Sequence, residues 1–169
     1  MQVTQGKLVM GLNINETAED SRFISAVYNA ILGGGANSKL FQNVREKASL
    51  AYTTGSNYNR TKNCIFIRAG IEIQNYQKAL DTIKQQLENM KNGNFTDKDI
   101  KDSKELIIAS IEGISEEQDT EITYYYGQEL ANRFVDLKEY MDKIKAVTKD
   151  QIVKLAQNIN INTIYFLKD

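Results

Sequence analysis

Two stretches of this chain place an apolar residue at every second position. Leu8, Met10, Leu12 and Ile14 do so across residues 7–14, and Ile65, Ile67, Ala69, Ile71 and Ile73 across residues 63–73. Successive side chains of a strand point to opposite faces, so a period of two predicts two strands, each with one core face. Something else must cover that face, and the remaining sequence supplies helices. Phe23, Val27, Ala30 and Ile31 recur at helical spacing over residues 18–32, with Thr17 as the expected cap and Gly33-Gly34-Gly35 as the end. Such a run of glycines opens almost any backbone path, including positive φ. A shorter helix is expected from Asn37 or Ser38 to Ala48, with Leu40, Phe41, Val44 and Ala48 inward.

The rest of the chain follows the same grammar. Residues 50–59 predict a strand in which Tyr52, Thr54, Ser56 and Tyr58 share a polar face, and Asn59-Arg60-Thr61-Lys62 suits a hairpin into the next strand. Asn75 is the expected cap of a helix carrying Ala79, Leu80, Ile83, Leu87 and Met90, closed by Gly93-Asn94. Thr96 opens another helix to about Glu112, and Ser115-x-x-Gln118 and Thr148-x-x-Gln151 both fit the reciprocal capping box. Leu137, Met141 and Ile144 mark a short helix between those boxes, and residues 161–167 close the chain as a strand. A hairpin beside well-separated strands predicts an α+β fold, with a mixed, largely antiparallel sheet and helices packed on one face. No repeat or linker-like tract interrupts the 169 residues, which are expected to form one domain.

Composition narrows function more than fold. The chain has no histidine, so the imidazole base of serine and cysteine triads is missing, as are the usual ligands of catalytic zinc. A carboxylate-only magnesium site needs no histidine, but no DxD-like cluster follows a strand. The lone Cys64 allows no internal disulfide and fits a reducing compartment. A net charge of −1 gives no reason to expect nucleic acid or an anionic membrane as partner. No signal-like segment opens the sequence, and the run Leu8–Leu12 is too short to span a bilayer, so the expected location is cytoplasmic.

Several conspicuous stretches have plain readings. Gly33 to Lys39 lacks the order of a phosphate loop and follows a helix, whereas a phosphate loop follows a strand. Tyr124-Tyr125-Tyr126 lacks basic neighbours and reads as a partly buried aromatic patch. Cys64 falls on the face opposite the isoleucines of its strand, with no base to activate it. The Lys/Glu-rich run from Asp97 to Glu105 reads as a solvated helix face.

The segment Gly33 to Ser56 is more specific. Its Gly-Gly-Gly-x-x-Ser-Lys-Leu-Phe-x-x-Val-Arg-Glu-Lys-x-x-Leu-Ala-Tyr-x-x-x-Ser resembles a signature of the pitrilysin/insulinase/mitochondrial-processing-peptidase family. More narrowly, it is similar to the domain that opens the second half of those proteins, and the order of elements agrees along the whole chain. The resemblance implies a clam-shaped, two-half zinc peptidase around a closed chamber, with an H-x-x-E-H metal motif in the first half. This chain would be the non-metal-binding domain of the C-terminal half, holding no cofactor itself. Its implied partners are the zinc-bearing N-terminal half, or a partner subunit, and a peptide substrate. The resemblance also implies that Arg45 and Tyr52, seven residues apart, reach the substrate carbonyl. The chemistry suits both: a guanidinium offers a planar fork of donors, and a phenol can donate to an oxygen gaining charge. The same resemblance leaves open a non-catalytic relative that binds peptides or supports a partner.

Overall fold

The computed structural model describes residues 5–16, 18, 20–130 and 134–168. Four strands, β1 (Gln5–Ile14), β2 (Ala51–Asn59), β3 (Cys64–Glu72) and β4 (Ile159–Leu167), form one sheet in the order β2-β3-β1-β4. Every pairing is antiparallel, so the sheet has no parallel component among the described residues. The helices are α1 (Ser21–Gly33), α2 (Tyr76–Lys91), α3 (Asp97–Glu112), α4 (Gln118–Leu130), α5 (Leu137–Ala146) and α6 (Lys149–Gln157).

The period-two residues become the floor of the core as expected. Leu8, Met10 and Leu12 pair across the strands with Ala69, Ile67 and Ile65, and all six are buried. Burying an aliphatic side chain of that size stabilises a fold by about 1.5–3 kcal/mol. The interleaved Lys7, Asn13 and Arg68 are exposed on the other face of the sheet, where Cys64 also lies. Ile73 departs from the pattern: β3 ends at Glu72, and Ile73 starts a single 3-10 turn, half-buried. Helices α1, α2 and α6 lie against the sheet, and α3 and α5 pack on α1.

Helix boundaries were legible where a side chain caps the backbone. Thr96 with Asp99 and Thr148 with Gln151 each make both bonds of the reciprocal box. Ser115 does not: its hydroxyl donates to the Glu112 carbonyl from within the 3-10 turn Gly113–Glu116, and α4 starts beyond it. Asn75 stands at the N-cap of α2 but sends its amide to Glu72 instead. Thr17 lies outside the described residues. Helix α1 begins at Ser21, with Asp20 at its cap, and the Asp20 carboxylate is engaged by Lys143 of α5 at 3.0 Å.

The glycine run does a different job from the expected one, for none of Gly33, Gly34 and Gly35 has a positive φ. A Cβ on Gly33 would lie 2.4 Å from the Ser56 backbone nitrogen, so this glycine lets α1 close directly onto β2. Gly35 has ordinary room, its nearest neighbour being Leu106 at 3.5 Å. The charged face of α3 also holds a surprise. Lys98 and Lys101 form surface pairs with Asp102 and Glu105, as a solvated face would. Lys104 instead donates to the carbonyls of Lys145 and Val147 at the C-terminal end of α5, where a cation satisfies open acceptors.

Candidate functional site

Arg45 lies in a seven-residue π-helix, Phe41–Lys47, where an ordinary α-helix was expected. Its guanidinium rests on the Phe41 ring, 4.7 Å from the centroid, and lies 3.7 Å from Glu46. Both the ring and the neighbour are local, so among the described residues nothing ties the exposed guanidinium to the body of the fold. The segment then turns sharply. Ser49 adopts φ 52, its N–H bonds the Arg45 carbonyl, and the Leu50 N–H bonds the Val44 carbonyl. Leu50 is buried, which anchors the start of β2 close to the turn that carries Arg45.

Tyr52 follows two residues later, and a bulge decides where it points. Ala51 pairs with Ile71 and Thr53 with Gly70, so Tyr52 is the extra residue between two ladder positions. From Thr54 onward β2 alternates as expected: Thr54, Ser56 and Tyr58 sit opposite Ala69, Ile67 and Ile65, on the helix-covered face. Tyr52 therefore does not share their face. It is half exposed, and its hydroxyl donates to Glu72 Oε1 at 3.0 Å. Tyr58 by contrast donates to Asn63 at the hairpin.

Glu72 is the member of this group that sequence reasoning missed. Its second oxygen accepts from the amides of Gln74 at 2.9 Å and Asn75 at 3.2 Å, so three neutral donors converge on one carboxylate. The hydrogen bond from Gln74, and then that from Tyr52, hold the Glu72 carboxyl below its usual range, while the bond to Glu72 raises the Tyr52 phenol. A signal was present. Counting back from the hairpin pair Asn59–Cys64 along an unbroken ladder puts Glu72 one place from the partner of Tyr52. Arg45, Glu46, Ser49, Leu50, Ala51, Tyr52 and Glu72 together line one open cleft of about 400 Å³. Such a rim offers a cation and a phenol to the same ligand, with the Glu72 carboxylate holding the phenol.

The fold and this cleft can be set beside known proteins. A family model described as the peptidase M16 inactive domain matches residues 1–107. The chain belongs to that family. As an M16 inactive domain it is 36% identical to the Bacillus subtilis protein named "Probable inactive metalloprotease YmfF", over 98% of this chain and 39% of that one. A conserved protein from Enterococcus faecalis V583 has a solved structure that superposes with a TM-score of 0.91 at 29% identity, over 99% of this chain and 40% of its own. The solved inactive peptidase domain of a putative zinc protease from Bordetella parapertussis shares the fold at 12% identity, with a TM-score of 0.78 over 98% of this chain and 95% of that one. The chain thus spans 39% of the length of the 36%-identical relative and of a second curated Bacillus subtilis protein that it matches.

The zinc that this family implies does not fit the residues present. The chain has no histidine and one cysteine, and among the described residues no group of three or more His, Cys, Asp or Glu side chains could hold a metal. Zinc in a metal-bearing M16 protein belongs to the other half. Among the described residues no helix is long and apolar enough to cross a membrane.

Proposed function

We propose that this chain is the substrate-side, non-metal-binding domain of a two-half, insulinase-type zinc peptidase, closing its chamber and contacting the peptide backbone through Arg45 and Tyr52. Residues 1–169 form one domain in that reading, from the C-terminal half of a longer cytoplasmic protein. The observation that carries it is the bulge, which takes Tyr52 off the helix-covered face and sets it on the same cleft as Arg45. The Arg45 guanidinium donates to a peptide carbonyl, and its cation–π contact with Phe41 uses the face of the guanidinium and leaves its outer N–H groups available. Glu72 holds the phenol until a carbonyl takes over its proton, so Glu72 positions Tyr52 and does not touch the peptide.

The test uses the complete protein that carries this chain, with a fluorescent peptide. Tyr52→Phe is expected to lower kcat and kcat/KM together by on the order of a hundredfold, because the bond matters most where charge develops. Arg45→Lys keeps the charge, loses the fork and is impaired as well. Tyr58→Phe, whose hydroxyl serves the hairpin, leaves kinetics unchanged. Unimpaired kinetics in both cleft variants would return Arg45 and Tyr52 to ordinary surface roles.

The name of the 36%-identical relative favours a second reading, a non-catalytic subunit that binds peptides or supports a partner. Peptide affinity separates the two. The second reading expects binding that weakens in Arg45→Lys, with no turnover in the complete protein even when zinc is supplied.

A further inference from the structure

Helix α4 is the anomaly of the molecule, for none of its residues is buried. Ile122, Tyr126 and Leu130 are 67%, 63% and 70% exposed, and Phe134 just beyond is 63% exposed. Residues four apart stack on one helix face, so the first three make a continuous apolar stripe about 12 Å long. Scattered exposed apolar residues are ordinary, but a stripe in register is not.

The orientation of the stripe is fixed, which separates it from a frayed helix. The opposite side of α4 is tied to Val135, itself a core residue. Gln128 donates to the Val135 carbonyl at 2.9 Å and accepts from its N–H at 2.8 Å, and Tyr124 donates to the same carbonyl at 3.3 Å. The side turned inward carries Gln128 with the half-buried Tyr124 and Tyr125, and the Ile122–Tyr126–Leu130 stripe is left facing outward. The charged residues of α4 are Asp119, Glu121 and Glu129, with no lysine or arginine.

We propose that the Ile122–Tyr126–Leu130 stripe is the surface by which this domain docks onto the rest of its own protein, at an apolar groove with a basic rim. The inference rests on the two-part architecture proposed above, and it names the contact. The two Bacillus subtilis relatives carry about three fifths of their length outside the region matched here, so a tethered partner is at hand. A tethered surface meets the stripe at an effective concentration in the millimolar range, which outcompetes a second free copy. The acidic flanks repel an anionic membrane and suit a basic rim.

The test places the photo-crosslinker p-benzoylphenylalanine at position 126 of the complete protein, with circular dichroism to confirm unchanged helix content. Irradiation is expected to link position 126 to residues outside this 169-residue stretch, within a species of monomer mass. Leu130→Glu should cut that yield several-fold, whereas Lys98→Glu, on the exposed face of α3, should not. Links between two copies, links only within the 169 residues, or no links at all would each overturn the proposal. Cross-linking needs neither zinc nor peptide, so a failure of the contacts proposed for Arg45 and Tyr52 would leave this result untouched.

Discussion

The two edges of the sheet are built on opposite plans. The β2 edge is crowded: α1 presses Gly33 against Ser56, the π-helix runs into its first residue, and a bulge turns Tyr52 outward. Its exposed residues are largely polar. The β4 edge is bare, exposing Ile161, Ile164, Tyr165 and Leu167, with no charge and no proline between Ile159 and Leu167. Charges, prolines and coverage are the usual guards of a free strand edge; β4 has neither charge nor proline, and among the described residues Tyr76 covers it only at Phe166. The difference teaches that close packing has been concentrated on one border, the one that carries the proposed peptide contacts, while the other has been left able to pair.

The sharpest way to break that contrast is at Gly33. Gly33→Ala should destabilise the chain by roughly 1–3 kcal/mol, because its Cβ would meet backbone that cannot swing away. Gly35→Ala, with ordinary room, should be nearly neutral, and chemical denaturation of both variants checks the pair. An equal cost would mean that the glycines matter for flexibility, as their sequence suggests, and not for close approach.

A second test concerns how the crowded edge responds to pH. Glu72 has a lowered folded pKa, so its contribution is present above the ordinary carboxylate range and lost as pH falls through the folded value. Tyr52 has a raised one, so its contribution is present below the ordinary phenol range and lost as pH rises through the folded value. The Tyr52–Glu72 bond should therefore hold from mildly acidic to alkaline pH. In Glu72→Gln the Tyr52 phenol should titrate closer to its ordinary value, read by tyrosinate absorbance against a Tyr52→Phe blank. No change would dissolve the link between the bulge and the carboxylate.

The bare edge predicts a smaller effect on stability than on behaviour. Tyr165→Lys should change unfolding free energy by no more than about 0.5 kcal/mol, as an exposed substitution, yet reduce self-association in concentrated solution. Ultracentrifugation reads it, and unchanged association would show that β4 does not recruit partners. The smallest expected effect is at Ser49, where Ser49→Gly relieves a left-handed backbone and should be stabilising by a few tenths of a kcal/mol in melting experiments.

These contrasts also mark what the sequence could disclose. One-faced strands and Thr-led caps depend on neighbours two to four residues away, so Leu8–Ile14, Ile65–Ile71, Thr96 and Thr148 were readable. Arg45 and Tyr52 were reached through a motif, and the structure brings them to one cleft. The bulge was not readable, since 50–59 is polar enough that either face could have been the inner one. Gly33 and Lys104 were misread because what they touch, Ser56 and the end of α5, is distant in sequence. Ser115 failed for a local reason: its hydroxyl found a closer acceptor behind it than ahead.

The strand order carries one more consequence, for synthesis. β4 pairs with β1 across a sequence separation of about 150 residues, joining Leu12 to Ile161 and Asn13 to Asn160. On the ribosome, β1 can pair with β3 well before β4 exists, leaving its other side unoccupied until β4 itself has cleared the exit tunnel. A nascent chain stalled before residue 159 would display β1 as an open border, with the backbone N–H and C=O groups that bond β4 left unpaired. Translation pauses in that window should cost more folded protein than pauses placed anywhere in the first hairpin.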